Sequence, residues 1–227
     1  MRTLIFSDTH LTPIFEPARF EALRSLIQSV DRIVINGDFW DGYYCSFSEF
    51  VDSKWSALFP LLLKKQAVYV YGNHDTEDFC DERISLFSIQ QTMVYHLQVG
   101  DQRLEIRHGH HIDTNNPLFH ADLIFSQPNQ IIRKCYRAFC FVRDNNLGLL
   151  TVLYWKYLRK SDAYDDGVLQ HYATKHMGEN QTLVCGHSHV QRYLPEKKYL
   201  NTGRFEFGRS EYGLIEDEAI TMRSENY

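Results

Sequence analysis

Five short clusters hold side chains that could do chemistry together: SDTH at residues 7–10, GDFWD at 37–41, GNHD at 72–75, HGHH at 108–111 and GHSH at 186–189. Carboxylate, amide oxygen and imidazole are a donor set suited to Mn, Fe or Zn, whereas Mg and Ca prefer oxygen throughout. Asp8 and His10, like His187 and His189, stand two residues apart. In extended backbone, residues i and i+2 share a face, so each pair can face one ion. The glycines at 37, 72, 109 and 186 permit the tight turns that such a convergence needs. Taken singly, each cluster has a plainer structural meaning. A DxH is a capped turn, a GNHD is a turn containing Asn, and histidines at 108, 110 and 111 make a His-rich loop. Their order along the chain decides between the two meanings.

The clusters fall where strands should stop. TLIFS at residues 3–7, RIVIN at 32–36 and AVYVY at 67–71 are β-rich runs, each followed by one cluster. Between them, RFEALRSLIQSV has apolar residues at helical spacing. FSEFVDSKWSALFPLLLKK reads as a second helix, started by Ser46 or Ser48 and kinked near Pro60. Strand, helix, strand, helix, strand predicts an α/β sheet with right-handed crossovers. MVYHLQVG and RLEIRHG, joined by GDQ, predict a hairpin that ends at HGHH. TLVCG, KYLNTG and the alternating YGLIEDEAITMRS return the chain to strands. In open α/β sheets, ligands bind beyond the carboxyl ends of the strands. That is where all five clusters lie.

The stretch 115–178 is different. PNQIIRKCYRAFCFV and LGLLTVLYWKYLRK are helical in pattern, and the block holds eight Lys/Arg against five Asp/Glu in a chain of net charge −5. It reads as a helical insertion within a single domain, residues 1–227, whose length allows a substantial core. The acidic remainder gives no reason to expect nucleic acid as a partner. The opening MRTLIFSDTH has too short an apolar run for a signal peptide and reads as a strand, and no run of about 18 apolar residues occurs. Five cysteines without a CxxC fit a reducing cytoplasm.

The ordered set DxH, GDxxD, GNHD, HGx, GHxH, from Asp8 to His189, resembles the calcineurin-like metallophosphoesterase superfamily. The resemblance implies an α/β (α+β) fold, a β-sandwich flanked by helices, with two divalent metal ions at one sheet edge. Carried over motif by motif, Asp8, His10, Asp38 and His189 would hold one ion. Asp38, Asn73, His108 and His187 would hold the other, with Asp38 bridging. Manganese is the expected metal, with iron or zinc as alternatives. The implied reaction is attack on phosphorus by a hydroxide between the metals, with His74 stabilising or protonating the leaving oxygen and Asp41 orienting His74.

Within the superfamily, the SDTHL start, the insertion between HGx and GHxH, and the C-terminal strands are most similar to bacterial UDP-2,3-diacylglucosamine diphosphatases. The chain departs from that branch at His74 and His110, where the branch usually carries Arg and Asp. The implied substrate is a UDP-sugar lipid or a related pyrophosphate. A phosphodiesterase, nuclease or phosphatase of the same superfamily remains open, as does a metal-free scaffold. The helix LGLLTVLYWKYLRK would either pack within the cap or lie against acyl chains at a membrane surface, with Lys156, Arg159 and Lys160 near phosphates. Arg192, beyond GHSH, is the substrate candidate nearest the metal edge, and Asn201 with Gly203 forms a turn expected near the site. His110 and His111 are either loop residues or substrate contacts. Arg133, Lys134 and Arg137 either grip a diphosphate or are simply solvated.

Overall fold

The computed structural model describes residues 1–112, 130–144 and 149–227, and the side chains of 142–144 and 149–159 lie outside the description. The N-terminal half alternates as the pattern predicts: β1 (Thr3–Phe6), α1 (Pro17–Gln28), β2 (Arg32–Asn36), α2 (Phe47–Val51), α3 (Phe59–Lys64) and β3 (Val68–Val70). β1, β2 and β3 run parallel, and β4 (Gln90–Thr92) adds a fourth parallel strand. The second helix differs from its prediction. Ser46 caps α2 in a reciprocal box with Glu49, but the helix ends at Val51 and the chain passes through a 3₁₀ turn before α3. Pro60 lies in the first turn of α3, where its missing N–H has no intrahelical partner to lose, so it starts a helix instead of kinking one.

β5 (Tyr95–Val99) and β6 (Gln102–Ile106) form the expected antiparallel hairpin. α4 (Gln130–Asp144) and α5 (Leu149–His176) follow. The chain then makes β7 (Gln181–Cys185), β8 (Arg192–Leu194), β9 (Tyr199–Asn201), β10 (Phe205–Glu206), β11 (Arg209–Glu216) and β12 (Ala219–Asn226). Two sheets result. Seven strands run β10-β11-β1-β2-β3-β4 with β12 paired on β11, and five run β5-β6-β7-β9-β8.

Strand alternation explains how the sheets stack. In β1 and β2, Leu4, Phe6, Ile33 and Ile35 join the cluster that includes Leu23 and Ile27 of α1, while Ile5 and Val34 face the other way. There they meet Leu104 and Ile106 of β6, Val184 of β7 and Leu200 of β9. On the outer side of the second sheet, Leu183, Cys185 and Tyr199 pack on Leu169 and Ala173 of α5. The order of layers is helices, sheet, sheet, helix. The carboxyl ends of β1, β2 and β3 therefore come to the same edge as those of β6 and β7. Asn36 ties that edge together, its Nδ2 donating to Arg107 O at 3.3 Å and to Val184 O at 3.4 Å.

Candidate metal centre

Each of the five clusters ends in a loop at this edge, and each loop is held to another. Asp8 N donates to Gly37 O at 3.1 Å and His10 N to Asp38 O at 2.8 Å, joining the first loop to the second. The buried Arg19 guanidinium reaches Thr9 O and Phe205 O from α1. His187 N donates to the Asp8 carboxylate, and Gly186 N to His108 O. Gly72 shows why glycine is needed where two loops touch: a Cβ there would lie 2.5 Å from Asp38 N. Asp8, His10, Asp38, His187 and His189 all have φ between 40° and 65°. This left-handed region is uncommon outside glycine.

The side chains converge in two connected groups. In one, His189 Nε2 is 3.3 Å from Asp8 Oδ1 and 3.5 Å from His10 Nε2, and His10 Nε2 is 3.8 Å from Asp38 Oδ2. In the other, His108 Nε2 is 3.2 Å from the same Asp38 oxygen and 3.1 Å from Asn73 Oδ1, which lies 3.1 Å from His187 Nδ1. Donors sharing one ion at bonds of about 2.1 Å stand roughly 3.0–3.4 Å apart in tetrahedral or octahedral order. The observed separations are close to those values. Asp8 and Asp38 are essentially fully buried. Two carboxylates so placed demand positive charge. Against the burial that would lower them, Asp38 and Asp8 push His108 up to about 10, and Asp8 pushes His189 up to about 9. A divalent cation meets the same demand with the imidazole lone pairs turned inward. His108 is already set for that, because its Nδ1 donates to Asn36 O at 2.9 Å and leaves Nε2 facing Asp38. The donor set and its spacing therefore fit divalent metal.

His74 stands at the rim of the first group. Its backbone N donates to Asp38 Oδ1 at 2.8 Å and its Nδ1 pairs with Asp41 Oδ1 at 3.0 Å. Its ring lies 4.4 Å from His10 and 4.2 Å from Tyr43, centroid to centroid. Burial would raise the Asp41 carboxyl, but His74 beside it holds it below the ordinary range. Asp75, quoted in its motif but given no role from sequence, accepts from Asp38 N at 3.0 Å, Phe39 N at 2.6 Å, Gly72 N at 2.7 Å and the Tyr69 hydroxyl. It joins the second loop to the third. Burial and the neighbouring Asp38 push its carboxyl up to about 6 even against these four donors.

The substrate candidates fare unevenly. His110 is buried beside His108 and His187, with Nδ1 lacking a partner among the described residues, and His111 is exposed. Arg133 donates to Gly42 O at 3.3 Å, so it sits beside the loop of Asp41. Arg137 is committed elsewhere, to Tyr44 O at 2.7 Å and to the Glu49 carboxylate, and so serves to dock α4 on the body. Lys134 is exposed. Arg192 does not point to the metal edge; its Nε is 2.8 Å from Asp166 on α5. Asn201 is fully buried, donating to Gly186 O at 2.7 Å and Ser188 Oγ at 3.0 Å, so it braces the GHSH loop where no substrate can reach it. The side chains of Lys156 and Arg159 lie outside the described residues, and Lys160 is exposed. Among the described residues, no helix is long and apolar enough to cross a membrane. Asp162 of α5 was also missed from sequence, and stands 3.7 Å from His189 Nδ1.

Two stacked sheets flanked by helices, with Asp, Asn and His converging at their common edge, describe a mixed α/β metallophosphoesterase fold. The model of the calcineurin-like phosphoesterases matches residues 1–191, and the chain belongs to that family. Among solved structures it is similar to YfcE, a phosphoesterase from E. coli, at 16% identity and a TM-score of 0.48 over 98% of each chain. It is also similar to a predicted phosphoesterase from Streptococcus pneumoniae TIGR4, at 17% identity and a TM-score of 0.43 over 99% of this chain and 88% of that one. A third is Vps29 from Entamoeba histolytica complexed with zinc, at 11% identity and a TM-score of 0.44 over 100% and 99%. No curated protein matches the chain.

Proposed function

We propose that the chain hydrolyses a phosphoester or pyrophosphate with two divalent metal ions, Asp8, His10, Asp38 and His189 holding one and Asp38, Asn73, His108 and His187 the other. The observation that carries this reading is the shared oxygen: Asp38 Oδ2 faces His10 Nε2 at 3.8 Å and His108 Nε2 at 3.2 Å. When bound, the ions supply Lewis acidity toward phosphoryl oxygens and bring the pKa of a water toward neutrality. His74 does the proton work. As the imidazolium, its Nδ1–H donates to Asp41, which stays ionised, and its Nε2–H is the proton passed to the leaving oxygen, leaving the neutral ring held on Asp41. Tyr43 lies against the His74 ring and limits its movement.

Manganese is the metal proposed first, with iron or zinc as alternatives. The proposed substrate is the pyrophosphate of a UDP-sugar lipid such as UDP-2,3-diacylglucosamine. Its support is the motif order and an insertion in the expected place. A small phosphorylated or lipid-linked partner, a cytoplasmic setting and peripheral membrane contact through the insertion go with that substrate.

The test is hydrolysis with added Mn on bis-p-nitrophenyl phosphate, UDP-2,3-diacylglucosamine, other nucleotide diphosphate sugars, a phosphopeptide and single-stranded DNA. Metal-dependent release of UMP from the lipid-linked sugar supports the whole proposal. Cleavage of the generic diester alone keeps the hydrolase and removes the substrate. A protein that takes up no stoichiometric metal and cleaves nothing is a scaffold, and both parts fail.

A further inference from the structure

His189 has two sides. Its Nε2 faces inward, 3.3 Å from Asp8 Oδ1 and 3.5 Å from His10 Nε2. Its Nδ1 faces outward, 3.7 Å from Asp162 Oδ1 on α5. His108 has the same arrangement, with Nε2 inward and Nδ1 donating to Asn36 O at 2.9 Å. A histidine that ligates metal almost always gives its other N–H to such a partner, which fixes tautomer and ring orientation. For His108 the partner comes from the sheet. For His189 it comes from the helix that precedes β7.

The place of Asp162 is built, because the helix is clamped one turn further on. Asp166 is 2% exposed. It accepts from Arg192 Nε at 2.8 Å, the Tyr199 hydroxyl at 2.9 Å and Gln170 Nε2 at 2.7 Å. Residues i and i+4 lie one above the other on a helix. The face that Asp166 fastens to β8 and β9 therefore presents Asp162 to the metal edge, and the buried Leu169 and Ala173 continue the packing below. The remaining gap is only slightly longer than a direct hydrogen bond, and a small rotation of the carboxylate closes it.

We infer that Asp162 is a positioning residue for His189, so that α5 completes the outer shell on the Asp8–His10–His189 side of the centre; this rests on the metal reading proposed above. The helix is thereby part of the metal site as well as of the outer layer on the second sheet.

The experiment titrates metal-free full-length protein with Mn, following free Mn by electron paramagnetic resonance, in wild type, Asp162→Ala, Asp162→Asn and Tyr164→Ala. Wild type is expected to bind two ions. In Asp162→Ala one ion keeps its affinity and the other is weakened about 10–100-fold, while the metal-free Tm stays that of wild type. Asp162→Asn retains an acceptor oxygen and recovers most of the loss. Tyr164, exposed on the same helix, behaves as wild type when replaced. Unchanged affinities in Asp162→Ala overturn the inference and leave the metal reading intact. Equal weakening of both ions with a lower metal-free Tm overturns it in favour of a merely structural aspartate. A wild type that binds no Mn overturns the metal reading, and the inference with it.

Discussion

Replacing Gly72 by alanine adds one methyl group where the second and third loops touch. Its φ lies outside the left-handed region, so the backbone alone would accept the change, and the effect is steric. The new carbon would lie 2.5 Å from Asp38 N and in overlap with Asp38 Oδ1. Ordinary contact needs about 3.5 Å, so one loop must give way by about 1 Å. Metal shells tolerate only about 0.2 Å. Overpacking of this kind costs about 1–3 kcal/mol. For a chain of this size that lowers Tm by about 2–12 °C, at roughly 2–4 °C per kcal/mol. Gly167 on α5 is the opposite case, because a Cβ there meets nothing within 4 Å. Alanine at a helical glycine stabilises by about 0.5–1 kcal/mol, so Tm should rise by about 1–4 °C. Calorimetry on metal-free proteins, paired with Mn titration, reads both. A Gly72→Ala protein with wild-type Tm and two bound ions would falsify the claim that contact between these loops sets the place of Asp38.

The other predictions address the chemistry directly. His74→Asn should bind both ions as wild type does while kcat falls about 10²–10⁴-fold, the usual span for a lost general acid; steady-state kinetics showing full turnover would remove His74 from that role. Dialysis against a chelator should abolish hydrolysis, and added Mn should restore it where Ca does not, since the site offers several imidazoles to a cation that prefers oxygen. Equal rescue by Ca would count against the assignment. Burial pushes the Cys45 and Cys185 thiols well above the ordinary cysteine range, so at pH 8 neither forms thiolate. Cys135 is exposed. A disulfide reagent should label one thiol quickly, and Cys135→Ser should abolish that phase.

The first three strands were legible as short apolar, β-rich runs that stop at polar clusters: Leu4, Ile5 and Phe6 are all apolar because both faces of β1 are covered. The clusters were legible for the same reason, since a polar run that ends a strand must stand at the sheet edge. Other features had no such mark. β4 is the polar triplet Gln90–Thr92, recognisable only by its pairing with β3. Asn201 and Arg192 follow the last cluster closely, but a strand end does not say which way a side chain points. One faces into the protein and the other toward α5. Asp75 looked like the end of a turn motif, because its four donors come from residues 38, 39, 69 and 72. Asp162 did leave a trace. It and Asp166 stand i,i+4 with Asp165 between them, three acids within five residues of a helix, so Asp162 and Asp166 share one face.

Backbone strain is concentrated at the site. Ten residues other than glycine have positive φ among the described residues, and Asp8, His10, Asp38, His187 and His189 are five of them. Several of the others have local explanations, such as Asp217 and Glu218 in the two-residue turn between β11 and β12. The site residues lie just beyond the ends of strands. Each such conformation costs about 1–3 kcal/mol and persists only where the surroundings hold it. The surroundings here are the bonds from Asp8 N to Gly37 O and from His10 N to Asp38 O, with Arg19 on Thr9. Glycine would relieve the strain at all five positions and would also delete five donors. The chain instead places glycine at 72 and 186, where a neighbour's carboxylate needs room, and keeps Asp and His where a donor must stand. At these five positions the strain is the cost of keeping a donor, because glycine there would relieve the backbone and remove the ligand.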